Sequence, residues 1–280
     1  MKETSAVVVS GASTGIGAAT AALLAQKGYL VFAGIRSEDD AKRLRAVNDA
    51  IRPVRFDVTD RASVDAAIGA IVAGGDRLVG VVANAGVAVA GALEHLPMDA
   101  LRRQFEVNVF GALALAQAAL PHLPRDRGRV VFVGSISGRL AVPYIGPYSA
   151  SKFALRALAD VLRIELAPAG IAVSLIEPGS VNTPIWRKGR DDKTQILATI
   201  EGTPRAHYRA AIERVIEQTQ AEEESGMAPE TVARAIVDAI VSRKPRAQHV
   251  LGTPARLGSA LALLPPAWRD RFVRSSMRIP

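Results

Sequence analysis

Short apolar runs alternate with longer segments of helical period along most of the chain, and this alternation is the feature that most constrains the fold. The runs predict seven strands: AVVVS (6–10), YLVFAG (29–34), PVRF (53–56), LVGVVA (78–83), RVVFVG (129–134), IAVSLI (171–176) and QHVLG (248–252). The segments between them predict helices near 15–27, 40–50, 61–73, 99–122, 148–167 and 229–242. Strands that alternate with helices form parallel sheets through right-handed crossovers. We therefore predict an α/β fold: a doubly wound, seven-stranded parallel sheet with helices on both faces.

The length of 280 residues suits one large α/β domain over 1–280. Residues 184–227 are too many for an ordinary loop before the last strand. Apolar residues at helical spacing within 196–200 and 208–216 favour a helical lid there. A basic tail at about 254–280 ends the chain, since residues 241–280 contain eight Lys or Arg and one acid, Asp270.

Composition argues against several classes of site and partner. The chain has no cysteine and its four histidines are scattered, so we expect no metal site. Apolar runs are too short for a spanning helix or a secretory signal, which predicts a cytoplasmic protein. No nucleic-acid motif accompanies the basic tail, so no nucleic-acid partner is expected. The prolines in LLPPAW (263–268) interrupt a helix, which argues against peripheral membrane contact; a tail that caps the substrate cleft accounts for the segment at least as well.

The first strand leads directly into SGASTGIG (10–17), with glycine at Gly11, Gly15 and Gly17. Glycines at a strand-to-helix turn let the backbone approach a pyrophosphate at a helix N-terminus, as in Rossmann-type folds. The second strand ends in GIR, so Arg36 stands where a 2′-phosphate would lie, which favours NADP(H). NAD(H) remains possible, since Glu38 or Asp39 could bind a free ribose instead.

Tyr148 and Lys152 lie one helical turn apart and therefore on one face of a helix. A lysine charge about 4 Å away is worth about 4 kcal/mol at an effective dielectric near 20, or roughly three pKa units. Lys152 is therefore predicted to lower the pKa of the Tyr148 phenol toward the range that acid–base catalysis needs. Ser135, thirteen residues before the tyrosine, follows the fifth strand, where ligands bind in open α/β sheets.

In its motifs and their order the chain resembles the short-chain dehydrogenase/reductase family along essentially its whole length. The resemblance rests on the glycine turn, Asp57-Val58, NAG (84–86), Asn108 within a long helix, Ser135 ahead of YSASK (148–152), and PGSVNT (178–183). Ser10 stands where the family usually has threonine, and GSISG replaces the commoner paired serines.

The resemblance implies roles for individual residues. The catalytic residues would be Asn108, Ser135, Tyr148 and Lys152, with Tyr148 as the acid/base. The cofactor would be bound by Gly11, Ser13, Thr14, Gly15, Ile16, Gly17, Arg36, Asp57, Val58, Asn84, Ala85, Gly86, Tyr148, Lys152, Pro178, Gly179, Val181 and Thr183. The substrate would be contacted by Ser135, Ser137, Val142, Tyr144, Tyr148, Ser180 and Trp186.

The expected function is an NADP(H)-dependent oxidoreductase that interconverts an alcohol and a ketone or aldehyde. Apolar residues at the lid rim suggest a bulky lipophilic substrate. The GIR strand end, GSISG and the long lid resemble the steroid and retinoid branch of the family, which implies a steroid, a retinoid or another lipid-like compound. A non-catalytic NADP(H)-binding sensor or scaffold is the alternative. Alanine-rich helices at 99–122 and 148–167 resemble the contacts through which the family forms homodimers or homotetramers.

Overall fold

The computed structural model describes residues 5–125, 127–186 and 207–277. Its centre is a parallel seven-stranded sheet in the order β3-β2-β1-β4-β5-β6-β7. The chain moves outward from β1 to β3, returns to the centre at β4 and continues to the other edge, which is the predicted doubly wound topology. The strands are β1 Ser5–Val9, β2 Leu30–Ile35, β3 Ile51–Arg55, β4 Arg77–Ala83, β5 Arg129–Val133, β6 Ala172–Pro178 and β7 Gln248–Leu251.

Within the described residues, helices alternate with the strands along the chain. Their bounds are α1 Gly15–Gln26, α2 Glu38–Arg45, α3 Arg61–Ala73, α4 Met98–Phe105, α5 Gly111–Ala119, α6 Gly146–Glu165, α7 His207–Ser225, α8 Pro229–Val241, α9 Thr253–Leu261 and α10 Pro266–Ser276. The helix predicted over 40–50 ends at Arg45. It stops there because Asn48 forms a turn in which its side chain accepts a hydrogen bond from the Ala50 N–H, at 2.9 Å.

The long helix predicted over 99–122 is divided. Residues Glu106–Phe110 between α4 and α5 form a π-helical segment, and Leu120–His122 form a 3₁₀ turn after α5. A π-helical turn contains one residue more than an α-helical turn and is common at functional sites. Asn108 lies at its middle.

The sheet separates two hydrophobic clusters. On one face, Ile68 of α3, Leu115 of α5 and Leu155 of α6 belong to a cluster that also contains Phe56. On the other face, Leu24 and Ile236 belong to a cluster beneath α1 and α8. Because both faces are covered, the central strands are almost completely buried, as their continuous apolar sequences predict.

Helix α7, within the segment predicted to be a lid, returns the chain to the carboxyl edge of the sheet. Met227, just after α7, exchanges backbone hydrogen bonds of 3.0 Å with Ser180 and Asn182 after β6. Glu223 within α7 is buried and accepts a hydrogen bond from the Trp186 N–H at 2.8 Å. The first predicted lid helix, around 196–200, lies outside the described residues.

The segment after β7 forms two helices, α9 and α10, where the sequence suggested a basic tail. Helix α9 lies against the loop after β5, since a Cβ atom added at Gly258 would come within 3.2 Å of the Ile136 side chain. Among the residues that the structure describes, no helix has both the length and the apolarity needed to cross a bilayer.

Candidate active site

A crevice of about 750 Å³ opens at the carboxyl edge of the sheet. It runs from the end of β2 across the loops after β1, β4 and β5 to the loop after β6. Parallel sheets bind ligands at this edge, where the chain reverses direction between β1 and β4. Most of the predicted site residues line it: Gly11, Ser13, Thr14, Gly15, Ile16, Arg36, Asp57, Val58, Asn84, Ala85, Gly86, Ser135, Ser137, Tyr148, Lys152, Pro178, Gly179, Ser180, Val181, Thr183 and Trp186.

The glycine turn after β1 has the backbone that glycine favours. Gly11 and Gly15 have φ values of 62° and 56°. A Cβ atom at Gly11 would lie 2.8 Å from Cα of Ala85, and one at Gly15 would lie 2.9 Å from Cγ2 of Thr183. Gly17 does not line the crevice; a Cβ atom there would lie 2.3 Å from the carbonyl oxygen of Gly11. The first two glycines therefore shape the crevice wall, whereas the third allows α1 to approach the turn.

Ser10 and Asn84 hold this turn against the end of β4. The Ser10 hydroxyl accepts hydrogen bonds from the N–H groups of Asn84 and Ala85, both at 3.0 Å. In return, the Asn84 amide donates to the carbonyls of Ser10 and Gly11. The Asn84 side chain is thus directed at the glycine turn, and its hydrogen bonds fix the width of the crevice at this point.

Arg36 and Asp57 stand at the β2 end of the crevice. The pKa of Asp57 is lowered mainly by its hydrogen bond with the Thr59 backbone, and the Arg36 charge contributes in the same direction. Glu38 and Asp39 do not line the crevice. Glu38 pairs with Arg45 at 3.1 Å and Asp39 with Lys42 at 3.8 Å. Arg36 therefore faces the crevice. Glu38 and Asp39, the two acids that could bind a ribose without a 2′-phosphate, instead form ion pairs along α2.

Ser135, Tyr148 and Lys152 meet at the centre of the crevice. Tyr148 and Lys152 lie on the buried side of α6, and Ser135 follows β5. The Lys152 Nζ lies 5.6 Å from the centroid of the Tyr148 ring and donates a hydrogen bond to the Val133 carbonyl at 2.9 Å. The structure therefore brings together the three side chains that the sequence predicts.

The titration of this cluster differs from the sequence prediction. Burial raises the pKa of Tyr148, and a hydrogen bond with the Ser135 side chain opposes this only in part. Burial also lowers the pKa of Lys152 from 10.5 to about 8. The prediction that Lys152 brings the phenol toward neutrality is therefore wrong for the protein chain by itself, because desolvation favours the neutral form of both groups.

Asn108 lies behind the wall of the crevice and does not line it. Its side-chain oxygen accepts from the Val87 N–H at 2.9 Å. Its amide nitrogen donates to the Val87 carbonyl at 3.0 Å and to the Ser151 hydroxyl at 3.2 Å. Ser151 in turn donates to the Tyr148 carbonyl at 2.7 Å. Asn108 thus connects the loop after β4 to the helical turn that carries Tyr148.

The sequence analysis missed an ion pair between the loop after β5 and the end of β6, in which Glu177 is buried and Arg139 partly buried. Arg139, which follows the Ser135 loop, forms a bidentate salt bridge with Glu177 at the end of β6. The Arg139 Nε and Glu177 Oε1 atoms are 2.9 Å apart. Arg139 also donates to Gln248 at 2.8 Å, and Gln248 donates to Asp160 on α6 at 3.2 Å. This network joins the three elements that carry Ser135, Tyr148 and Pro178. A charged residue at the end of the apolar run IAVSLI was the available signal.

The end of the crevice opposite Arg36 is lined by residues near the predicted lid. The Trp186 ring lies 5.3 Å from the Tyr148 ring, at a tilt of 59°. Thr219 of α7 and Ile145 also line this end, whereas the predicted Val142 and Tyr144 do not. Tyr144 has φ 65°, a left-handed backbone that reverses the chain just before Ile145. Ile145 is therefore the member of this loop that faces the crevice.

The residues present fit a dinucleotide. The Thr14 side chain makes no capping hydrogen bond at the N-terminus of α1, so the first amides of this helix remain for a phosphate. A cation stands at one end of the crevice, and a buried Tyr-Lys-Ser group stands near its middle.

Comparisons with known proteins agree with this geometry. The short chain dehydrogenase family matches residues 5–194. The NADPH-dependent 3-dehydrocapnine reductase of Ornithobacterium rhinotracheale is 35% identical, over 97% of this chain and 96% of its own length. The 3-ketodihydrosphingosine reductase of Bacteroides thetaiotaomicron is 31% identical, over 85% of this chain and 84% of its own. A crystal structure of a short-chain dehydrogenase from Streptomyces avermitilis superposes with a TM-score of 0.78 at 27% identity, covering 99% of this chain and 96% of that one. The chain therefore belongs to the short-chain dehydrogenase/reductase family.

Proposed function

We propose that this oxidoreductase reduces a ketone on a long, lipophilic molecule with NADPH. The observation that carries the proposal is the meeting of Ser135, Tyr148 and Lys152 in a crevice whose far end is bounded by Arg36. Family membership supports the oxidoreductase class, and the names of two relatives support reduction of a lipid-like ketone.

Arg36 supports NADPH as the preferred cofactor. It lines the crevice close enough to lower the pKa of Asp57, so it would pair with a 2′-phosphate placed there. The backbone of the glycine turn would hold the pyrophosphate, and Thr183 and Val181 would lie against the nicotinamide. NADH would lack the partner for Arg36 and bind more weakly. Reduced nicotinamide, when bound, supplies hydride to the carbonyl carbon.

Tyr148 would supply the proton to the carbonyl oxygen. Because burial raises its pKa, the phenol is protonated at neutral pH, which suits a proton donor in the direction of reduction. The Ser135 hydroxyl, which interacts with the same phenol, would hydrogen-bond the carbonyl oxygen and stabilise developing negative charge. Lys152 would stabilise the tyrosinate formed by that transfer, and Asn108 would hold the Tyr148 turn in place.

The crevice end near the lid supports a lipophilic substrate. Ile145, Ile185 and Trp186 line it together with Tyr148. An alkyl chain would lie against these side chains, with its ketone beside the phenol. Long-chain ketones like those named for the two relatives fit this description better than sugars do, since an apolar wall offers few partners to a ring of hydroxyl groups.

The experiment that tests this function follows NADPH oxidation with a panel of long-chain 3-ketones, steroid ketones, retinaldehyde and sugar ketones. We expect turnover of the long-chain ketones, and loss of at least about a thousandfold in Tyr148→Phe with NADPH binding retained. Turnover confined to the sugars would refute the substrate class. Turnover that survives in Tyr148→Phe would refute the assigned proton donor.

A non-catalytic dinucleotide-binding protein is the second candidate. It is disfavoured because a scaffold gains nothing from burying Lys152 beside the phenol, where desolvation lowers the pKa of the lysine. Binding of NADPH without turnover on any ketone of the panel would favour it.

Homo-oligomer formation is part of the proposal. Phe153, Val161 and Ile164 on α6 and Phe110 beside α5 are large apolar side chains that the single chain leaves exposed. A symmetric contact through these helices would cover them. Light scattering in solution tests it, and a monomer at micromolar concentration would contradict it.

A further inference from the structure

Helices α9 and α10 present a cluster of exposed, large apolar side chains. Leu263 is 87% exposed, Trp268 73% and Leu257 60%, and Leu264 and Phe272 are exposed as well. We call these five residues the C-terminal patch. Single exposed apolar residues are ordinary on protein surfaces, but five large ones on two consecutive helices within 257–272 are more than that background and indicate an interaction site. Trp268 and Phe272, four residues apart on α10, share one side of that helix.

Positive charge accompanies the patch. Arg256, Arg271 and Arg274 are exposed on the same two helices. Arg269 pairs with Asp270, the only acid within 253–277, at 3.4 Å. Helices that combine exposed Trp, Phe and Leu with arginine are typical of proteins that lie at the surface of an anionic membrane.

The patch lies beside the crevice. On the buried side of α9, Ala255 packs against Gly179, with the Ala255 Cβ 3.4 Å from where a Cβ of Gly179 would stand. Gly258 packs against Ile136 on the same side. Gly179 and Ile136 both line the crevice. Helix α9 therefore exposes Leu257 on one side and packs against the loops of the crevice on the other.

We propose that the C-terminal patch docks on the surface of an anionic lipid bilayer. A second copy of the chain fits the patch less well, because a symmetric contact would bring the arginines of the two copies together. The prolines of LLPPAW interrupt the helix, as the sequence predicts, since α9 ends at Leu261 and α10 begins at Pro266. Pro265 precedes α10 and Pro266 begins it, which is where a helix accepts proline. The turn before α10 thus presents Leu263 and Leu264 outward.

Docking here would bring the crevice mouth to the membrane, where a long-chain ketone dissolves. Membrane docking does not depend on the proposed function, whereas the delivery of a membrane-dissolved ketone to the crevice does.

Sedimentation with lipid vesicles tests the docking. We expect the full chain to sediment with vesicles made of phosphatidylcholine and phosphatidylglycerol in equal parts, and not with phosphatidylcholine alone. The double variant Leu263→Ser/Trp268→Ser should bind at least about tenfold more weakly. Arg271→Gln/Arg274→Gln should lose about fivefold for each arginine removed.

Matched controls stand elsewhere on the surface. Val47→Ser removes an apolar side chain that is 58% exposed after α2, and Arg243→Gln/Lys244→Gln removes two exposed cations before β7. Both controls should bind vesicles like the unmodified chain. All variants should reduce a water-soluble ketone at the unmodified rate without vesicles, since none of these side chains lines the crevice.

Three results would overturn the proposal. They are no binding of the unmodified chain to anionic vesicles, equal binding by the patch variants, or a change of oligomeric state in Leu263→Ser/Trp268→Ser by light scattering, which would make the patch a contact between copies. Vesicle binding without turnover of any lipid ketone would refute the proposed function and leave the docking surface standing.

Discussion

Replacing Lys152 with methionine should stabilise the protein while abolishing its activity. Burial lowers the pKa of Lys152 from 10.5 to about 8, so the folded state opposes the charge that this lysine carries at neutral pH. A difference of this size corresponds to about 3 kcal/mol of folding free energy. Methionine leaves the Val133 carbonyl without its partner at 2.9 Å, which costs about 1 kcal/mol. The expected net gain at pH 7 is about 2 kcal/mol.

The pH dependence follows from the same lysine. The unfolded chain holds this proton up to its ordinary pKa of 10.5, whereas the folded chain releases it near 8. The cost is therefore fully present below pH 8 and disappears as the pH rises toward 10.5, because the unfolded state then binds more protons than the folded one. The advantage of Lys152→Met over the unmodified chain should shrink across this interval.

Urea denaturation at pH 7, 8, 9 and 10, without added dinucleotide, measures this difference. Lys27→Met, at an exposed lysine just after α1, serves as the matched control and should show no such pH-dependent gain. NADPH-dependent turnover should be lost in Lys152→Met and retained in the control. A stability difference between Lys152→Met and the unmodified chain that stays constant from pH 7 to 10 would refute the desolvation argument.

Three further predictions concern the crevice and the ion pair between Arg139 and Glu177. Arg36→Asp should shift the ratio of NADPH to NADH efficiency toward NADH by about tenfold or more, since a charge-assisted pair is lost; an unchanged ratio in steady-state kinetics would remove Arg36 from cofactor selection. Gly15→Ala should weaken dinucleotide binding and lower the melting temperature, because its Cβ would lie 2.9 Å from Thr183 at φ 56°, and a titration by NADPH fluorescence with wild-type affinity would contradict this. Glu177→Gln should destabilise the fold by about 3 kcal/mol because it isolates the Arg139 charge, whereas Glu177→Leu/Arg139→Met should restore much of the loss; purely additive effects in urea denaturation would argue against a coupled pair.

The sheet could be predicted from the sequence because its signals are local. The central strands are short apolar runs, and α3 begins and ends where its period predicts, with Asp60 accepting hydrogen bonds from the Ala62 and Ser63 N–H groups as its cap. Most residues of the crevice were named through the resemblance to the short-chain dehydrogenase/reductase family, which rests on motifs in a fixed order along the chain. These features require only neighbours in sequence or a repeated pattern.

Features that depend on distant partners were not predicted. The helix over 99–122 contains the π-helical segment around Asn108, whose amide is held by Val87 and Ser151 from other elements. The Lys152 charge was expected to lower the pKa of Tyr148, whereas burial raises it, and burial depends on the depth of the crevice. Arg139 and Glu177 are 38 positions apart, so no local pattern connects them.

The ion pair between Arg139 and Glu177 also limits how this protein can change over evolutionary time. A chain that loses one partner first must keep an isolated charge between the loop after β5 and the end of β6, and that intermediate is the least stable of the four combinations. We therefore expect homologues to carry both residues or neither, with the two positions exchanged as a unit.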